Sequence, residues 1–339
     1  MSAEPSASAL LEAMRSEVEQ DMRACLELIP ARGRPVAEMI AYHLGWGEPS
    51  ASGSGKRLRP LLCLASCAAS GGTWQAALPA ASAVELIHNF SLIHDDIEDR
   101  SETRRGRPTV WIRWGVAQAL NTGDALLVLA RLASLRLRGR GAADPVLVWV
   151  VDRLDRTCLE LTVGQHLDLS FESARSISEE DYLAMIAGKT AALLEAAAEV
   201  GGRLAGAEGR RLAALAAFGR HLGLAFQLQD DVLGIWGIPH QTGKPAGQDL
   251  VARKKTYPVV YGLTRSAAFA GAWSSTADSG GDLPSLRRLL EAAGAREQAV
   301  EMSRHHIDLA LANLKDAEPQ GLAGEALASL ARQLPGRTA

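Results

Sequence analysis

The sequence predicts an all-α protein, a single-domain helical bundle built around a central cavity. Alanine and leucine dominate, and aromatic residues make up only 5% of the chain. Apolar residues recur at three- and four-residue spacing through most of the 339 positions, with no clear alternation of Val, Ile or Thr at period two. No sustained change of composition marks a domain boundary, so residues 9–339 read as one domain behind a disordered, frayed tail at 1–8.

The elements follow from that spacing. A first helix is expected from about Ala9 to Leu28, with Leu10, Leu11, Met14, Val18, Met22 and Leu26 on one stripe, and Pro30 ends it. A second covers roughly 35–44. The Gly/Ser stretch at 45–55 reads as a flexible loop. It delivers Lys56, Arg57 and Arg59 onto an Ala/Leu/Cys helix from about 59 to 69, a plausible anion site because helix N-termini present unpaired N–H groups. The long apolar helix at about 75–99 comes next, then one over 109–137 with Trp111, Trp114, Ala117, Leu120 and Leu127 as core candidates. Residues 136–145 read as a loop. A helix over 146–170 carries Gln165 and Asp168 three apart; Asp168 in that apolar stripe is either a polar-site residue or a surface one. Ser178 with Asp181 three residues on resembles a helix start, and that helix takes Gly188, Lys189 and Thr190 into an alanine-rich run to Val200. An apolar helix in 218–237 bears Gln227, Asp230 and Asp231, followed by a loop at 238–249 with Lys244, and then Asp249, Arg253, Lys254 and Lys255. In the tail, 270–282 reads as a linker ahead of helices at about 283–294, 296–314 and 322–333, none of them carrying chemistry.

Composition excludes several functions. A net charge of −3 gives no electrostatic case for nucleic acid or an anionic membrane. Cys25, Cys63, Cys67 and Cys158 lack zinc-site spacing and read as reduced core residues of a cytoplasmic protein. The N-terminus carries Glu4 and no continuous apolar run, unlike a signal peptide. No window of 18 uninterrupted apolar residues suggests a membrane span.

The chemistry concentrates in VELIHNFSLIHDDIEDRSETRRGRPT, residues 84–109. Asp95 and Asp99 stand four apart, hence on one helix face at roughly 5–6 Å between Cβ atoms, and no Lys or Arg lies between them. Two carboxylates so close suit a hard divalent cation; Mg2+ takes one or two carboxylates with water and substrate phosphate. Alone, such a cluster reads better as a solvated acidic helix end before a basic loop. A second acid pair, Asp230 and Asp231, again at an apolar helix end and again followed by basic residues, makes the arrangement far more specific. Two such ends on opposite sides of a run of helices suggest one cavity, since ligand sites in bundles are built from facing helices.

Six ordered stretches resemble the polyprenyl synthetase (trans-isoprenyl diphosphate synthase) family: GKRLRP (55–60), ELIHNFSLIHDDIEDRSETRRGRPT (85–109), GQHLD (164–168), GKT (188–190), FQLQDD (226–231) and GKPAGQDLVARKKTYP (243–258). The resemblance implies an isoprenoid-synthase bundle and head-to-tail condensation of isopentenyl diphosphate with an allylic diphosphate. It implies Mg2+ on Asp95, Asp99 and Asp230, with Asp96 and Asp231 behind them. Arg104, Lys189 and Lys244 are then expected on the allylic diphosphate. Lys56, Arg59, His88 and Arg105 are expected on the isopentenyl diphosphate, Lys254 near the metal-bound diphosphate, and Thr190 and Gln227 beside the allylic cation. A homodimer is also implied. Phe90, five residues before Asp95 and next to the small Ser91, is the expected chain-length floor, pointing to geranylgeranyl diphosphate with farnesyl diphosphate as the alternative. The second motif departs from DDxxD: it reads DDVLG, with Gly234 last. Two other readings stay open: a low-activity partner subunit of a heteromeric synthase, and a class I terpene cyclase, which would want a different second metal motif. His94 reads as a core histidine, Trp236 as packing, Arg107 as a partner of local carboxylates, and Arg253 and Lys255 as solvated.

Overall fold

The computed structural model describes residues 6–46, 56–174, 176–237, 247–275 and 282–333, which are helical almost throughout. Helix α1 (Ala7–Leu26) starts two residues before its expected position because the Ser6 side chain accepts the Ala9 N–H at 3.2 Å. A 3-10 turn at Ala31–Gly33 leads to α2 (Arg34–Leu44), which Gly45 closes at φ 82°, a conformation open to glycine. Then come α3 (Leu58–Ala69), a 3-10 turn at Trp74–Ala77, and α4 (Leu78–Glu98) with Pro79 in its first turn.

After α4 the chain makes a short antiparallel hairpin, β1 (Thr103–Arg104) with β2 (Arg107–Pro108), where a loop was expected. The expected 109–137 helix is two, α5 (Val110–Trp114) and α6 (Val116–Leu135). Gly115 at φ 83° and ψ 160° divides them, since that backbone region is essentially closed to other residues. Residues Arg136–Arg140 form a 3-10 turn, and α7 runs from Asp144 to Ser173. Helix α8 (Glu179–Ile186) opens on a capping box between Ser178 and Asp181. It passes through a π-helical turn, Ala187–Ala191, into α9 (Ala192–Leu204). Then follow α10 (Gly209–Trp236), α11 (Gln248–Val251), α12 (Tyr257–Arg265), α13 (Ala267–Ser275), α14 (Leu283–Ala292), α15 (Ala295–Asp316) and α16 (Gly321–Arg332). Helix α13 occupies part of the expected 270–282 linker, with Phe269 and Trp273 buried.

The helices pack as two units: Met1–Cys158 with Ala196–Ala216 and Ala317–Leu327, and Leu159–Glu195 with Ala217–Asp316 and Ala328–Ala339. The first is organised on α4, buried at every position from Leu78 to Ile87. Trp74–Glu98 is apolar and long enough to cross a membrane, but 72% of its most apolar window is buried inside the protein, as in the core helix of a packed unit. Gly201 lets α9 lie against α3, since a Cβ there would stand 2.9 Å from the Cys63 carbonyl carbon. Arg211 ties the unit further by donating to the Ala317 carbonyl at 2.9 Å and the Ala69 carbonyl at 3.2 Å. The second unit is centred on Tyr182, Leu228, Val232, Tyr257 and Phe269.

Candidate active site

In the first unit α4 ends on its acid cluster. Asp95 and Asp96 lie in its last turn, and Asp99 caps it by donating its N–H to the Asp95 carbonyl at 2.8 Å. Asp96 turns inward and is buried. Its carboxylate accepts from Arg104 Nε at 2.9 Å on both oxygens, and Arg104 Nη2 stands 2.8 Å from Oδ1 and 3.4 Å from Asp95. Burial raises the Asp96 pKa, with Arg104 opposing. The cation absent between Asp95 and Asp99 in the sequence therefore arrives from eight residues beyond Asp96, folded back by the hairpin. The hairpin turn is Arg105–Gly106 with φ of 53° and 74°, the positive-φ pair of a two-residue turn that matches strand twist. Arg105 pays the side-chain strain of that region, about 1–2 kcal/mol, and stands at the tip.

Around the tip lies a crowd of cations in which the structure separates two jobs. Arg57, fully buried, donates to Glu19 at 2.6 Å and to Glu85 at 2.7 Å, so it holds α1, α3 and α4 together. Arg107 donates to the Tyr42 carbonyl at 2.7 Å and covers the Tyr42 ring at 4.6 Å; its expected carboxylate partner is replaced by a carbonyl and a ring. Arg59 Nη1 lies 3.2 Å from His88 Nε2. Because guanidinium can only donate, that nitrogen accepts and the His88 proton sits on Nδ1. Burial, then Arg59, Arg105 and Arg104, hold the His88 pKa well below its ordinary value, and burial with Arg104 and Arg105 does the same to His43. Burial and Arg57 lower Arg105 as well. Lys56 is exposed at the head of the same segment. Arg59, Arg104 and Arg105 thus gather positive charge around His88.

Phe90 and His94 stack edge-on at 5.1 Å, five residues and one residue before Asp95. The His94 ring occupies the place of a side chain on Gly123 of α6, and its Nε2 lies 3.3 Å from the Leu120 carbonyl. His94 is only partly buried, held between helices where a fully enclosed core histidine was expected.

In the second unit Asp230 and Asp231 lie in the last two turns of α10. Asp231 is buried and accepts from the Tyr182 hydroxyl, from Tyr257 N–H at 3.0 Å and from Gln227 Nε2 at 3.0 Å. Gln227 Oε1 in turn accepts from Thr190 at 2.8 Å, which fixes the orientation of its amide. Burial, only partly offset by these donors, pushes the Asp231 pKa up to about 7. Lys189 and Thr190 sit in the π-helical turn, a feature frequent at functional sites because the extra residue re-aims neighbouring side chains. Two glycines let α7 meet that turn: a Cβ at Gly164 would lie 2.7 Å from Lys189 Cα, and one at Gly188 2.7 Å from the Glu160 carbonyl oxygen. Lys189 Nζ then reaches Asp168 at 2.5 Å, so Asp168 is the partner of a site cation.

The segment after the second acid pair is tied down at several points. Lys255 donates to the Phe171 and Glu172 carbonyls at the end of α7, and Arg253 donates to the Trp273 carbonyl at 2.7 Å while stacking on its ring at 4.2 Å. Both were expected to be solvated; both are positioning contacts, because the last carbonyls of a helix need donors. Lys254 donates its N–H to the Asp249 carbonyl at 2.9 Å. Trp236 donates to Glu291 at 2.8 Å. Lys244 lies outside the described residues. Tyr182 and Tyr257 escaped the sequence reading because nothing in a pattern says which tyrosine meets a buried carboxylate. The 19–57–85 ion network and the hairpin escaped it because they join distant positions. The glycine pair at 164 and 188 left a visible signal in GQHLD and GKT.

Both inner carboxylates are spent on protein donors, and Asp95, Asp99 and Asp230 present oxygen-only ligands of the kind Mg2+ uses. Among the described residues no cluster of three or more His, Cys, Asp or Glu converges as a complete cage.

The family model "Polyprenyl synthetase" matches residues 47–275. The chain is 42% identical over 298 residues to a (2E,6E)-farnesyl diphosphate synthase of Mycobacterium tuberculosis, covering 84% of this chain and 81% of that one. It is 41% identical over 318 residues to a geranylgeranyl diphosphate synthase of the same species, covering 91% and 89%. Among solved structures, a polyprenyl synthetase from Streptomyces coelicolor superposes with a TM-score of 0.88 at 36% identity, covering 97% and 99%.

Proposed function

The chain belongs to the polyprenyl synthetase family and is a prenyltransferase, and we propose that it makes geranylgeranyl diphosphate by Mg2+-dependent head-to-tail condensation of isopentenyl diphosphate with allylic diphosphates. The observation that carries this is the pair of acid-bearing helices, each with its inner aspartate buried and held by protein donors. Asp95, Asp99 and Asp230 would hold the metal, which when bound supplies a Lewis acid for the departing diphosphate. Ionisation separates charge, so the protein's part is to place cations and dipoles where charge develops. Arg104, Lys189, Lys244 and Lys254 are assigned to the allylic diphosphate. Arg104 and Lys189 rest on Asp96 and Asp168, which pre-orients both cations. Thr190 and Gln227, locked by Asp231, direct oxygen dipoles toward the allylic carbon. Lys56, Arg59, His88 and Arg105 hold isopentenyl diphosphate; neutral His88 offers a donor without adding a charge to the crowd. The released diphosphate accepts the proton that ends the reaction.

Relatives of nearly equal identity carry both farnesyl and geranylgeranyl names, so product length rests on Phe90 with the small Ser91 beside it. A homodimer is supported by α6, which leaves Val116, Leu120, Val128, Leu132 and Leu135 exposed, an apolar stripe that a second copy would cover. A cytoplasmic location agrees with four free thiols. Incubation with Mg2+, isopentenyl diphosphate and labelled dimethylallyl, geranyl or farnesyl diphosphate tests the whole reading. A linear C20 diphosphate is expected; a cyclic hydrocarbon means a cyclase, and no turnover without a second protein means a partner subunit. Phe90→Ala is expected to lengthen the product, read by chromatography, and an unchanged profile removes the floor.

A further inference from the structure

We infer that Asp249 supplies the second carboxylate of the α10 acid pair, and that Gly234 is glycine in order to admit it. Position 234 lies four residues after Asp230 on α10, hence on the same face one turn on. A Cβ built there would stand 2.6 Å from Asp249 Cγ and would overlap Oδ2. The Asp249 carboxylate thus fills the space of a side chain at 234. That space is one turn on from Asp230, as Asp99 is from Asp95, although the carboxylate comes from a different stretch of chain. Its placement is rigid. Gly247 at φ 77° opens α11, Leu250 is buried, and Arg253 and Lys255 pin the following turn to Trp273 and to the end of α7. The pair of α10 is therefore complete without an aspartate in the last position of DDVLG, which removes the sequence argument for an inactive partner subunit.

This rests on the proposed metal-dependent reaction, and the test separates the two. Mn2+ is titrated into the wild-type chain and its variants with inorganic diphosphate present, and free Mn2+ is read by its paramagnetic resonance signal. Asp249→Asn keeps the shape and removes the charge; it is expected to weaken Mn2+ binding roughly ten- to a hundredfold. The Mg2+ needed for half-maximal rate should rise in step, with melting temperature little changed. Gly234→Ala is expected to weaken binding as well, because its Cβ evicts the carboxylate. The exchange Gly234→Asp with Asp249→Gly returns the carboxylate to the same space and should restore binding. An Asp249→Asn chain that titrates like wild type overturns the inference while leaving the synthase reading intact. A wild-type chain that binds Mn2+ and diphosphate but forms no prenyl product overturns that reading instead.

Discussion

The ends of α4 and α10 carry the same two letters, Asp-Asp, in different surroundings. Asp96 is met by a cation, Arg104, carried back on a hairpin. Asp231 is met by three neutral donors, Tyr182, Tyr257 and Gln227. Burial raises both pKa values, to about 7 for Asp231. A second difference lies in the outer pair: on α4 both carboxylates come from one helix, whereas on α10 a glycine stands where the second would be and Asp249 fills its space. A short motif therefore specifies where carboxylates sit, and the partners that reach them decide what each can do.

The sharpest way to break the comparison is to remove the outer carboxylates. Asp95→Asn and Asp230→Asn are each expected to lose roughly 10²–10³ in kcat, measured in the elongation assay. A silent Asp230→Asn would mean that the two ends do not share the chemistry.

The inner partners come next. Arg104→Met leaves Asp96 buried without its counter-ion, at an expected cost of about 3 kcal/mol. Tyr182→Phe removes one of three neutral donors and is expected to cost about 1–2 kcal/mol. Denaturant unfolding of the two variants gives the ranking; equal losses would say that charge does not distinguish the ends.

The smallest effect is on pH dependence, read as melting temperature in metal-free buffer. The folded chain keeps a proton on Asp231 up to about pH 7, where an unfolded Asp has released it by about pH 4. Its contribution is present below pH 4 and is lost as pH rises through 7, at no more than about 1.4 kcal/mol per unit. Asp231→Asn should remove that decline. His43 and His88 act oppositely: their lowered pKa values mean stability present above about pH 6.5 and lost as pH falls. His88→Gln should soften the acid loss, and an unchanged acid limb would mean His88 is not held neutral.

Much of the molecule was legible before folding. Long helices with apolar stripes declare themselves, and α1, α3, α4 and α15 fall within a few residues of their expected spans. The breaks were harder. Gly115 divides a helix through one backbone conformation, and the π turn at 187–191 leaves the apolar period almost undisturbed. The roles of the basic residues were harder still: Arg57 and Arg59 are two positions apart, yet one is consumed by Glu19 and Glu85 and the other faces His88.

By itself the sequence determined the helical class, the two acid ends, the basic stretches that accompany them and the family, because these depend on residue type and near-neighbour spacing. Only the tertiary structure decided which carboxylate is spent inside the protein and which arginine is structural. It also decided that a glycine at 234 marks a place filled from elsewhere. The physical reason is that a charge has no role until its burial and its partner are set, and both come from residues far away along the chain.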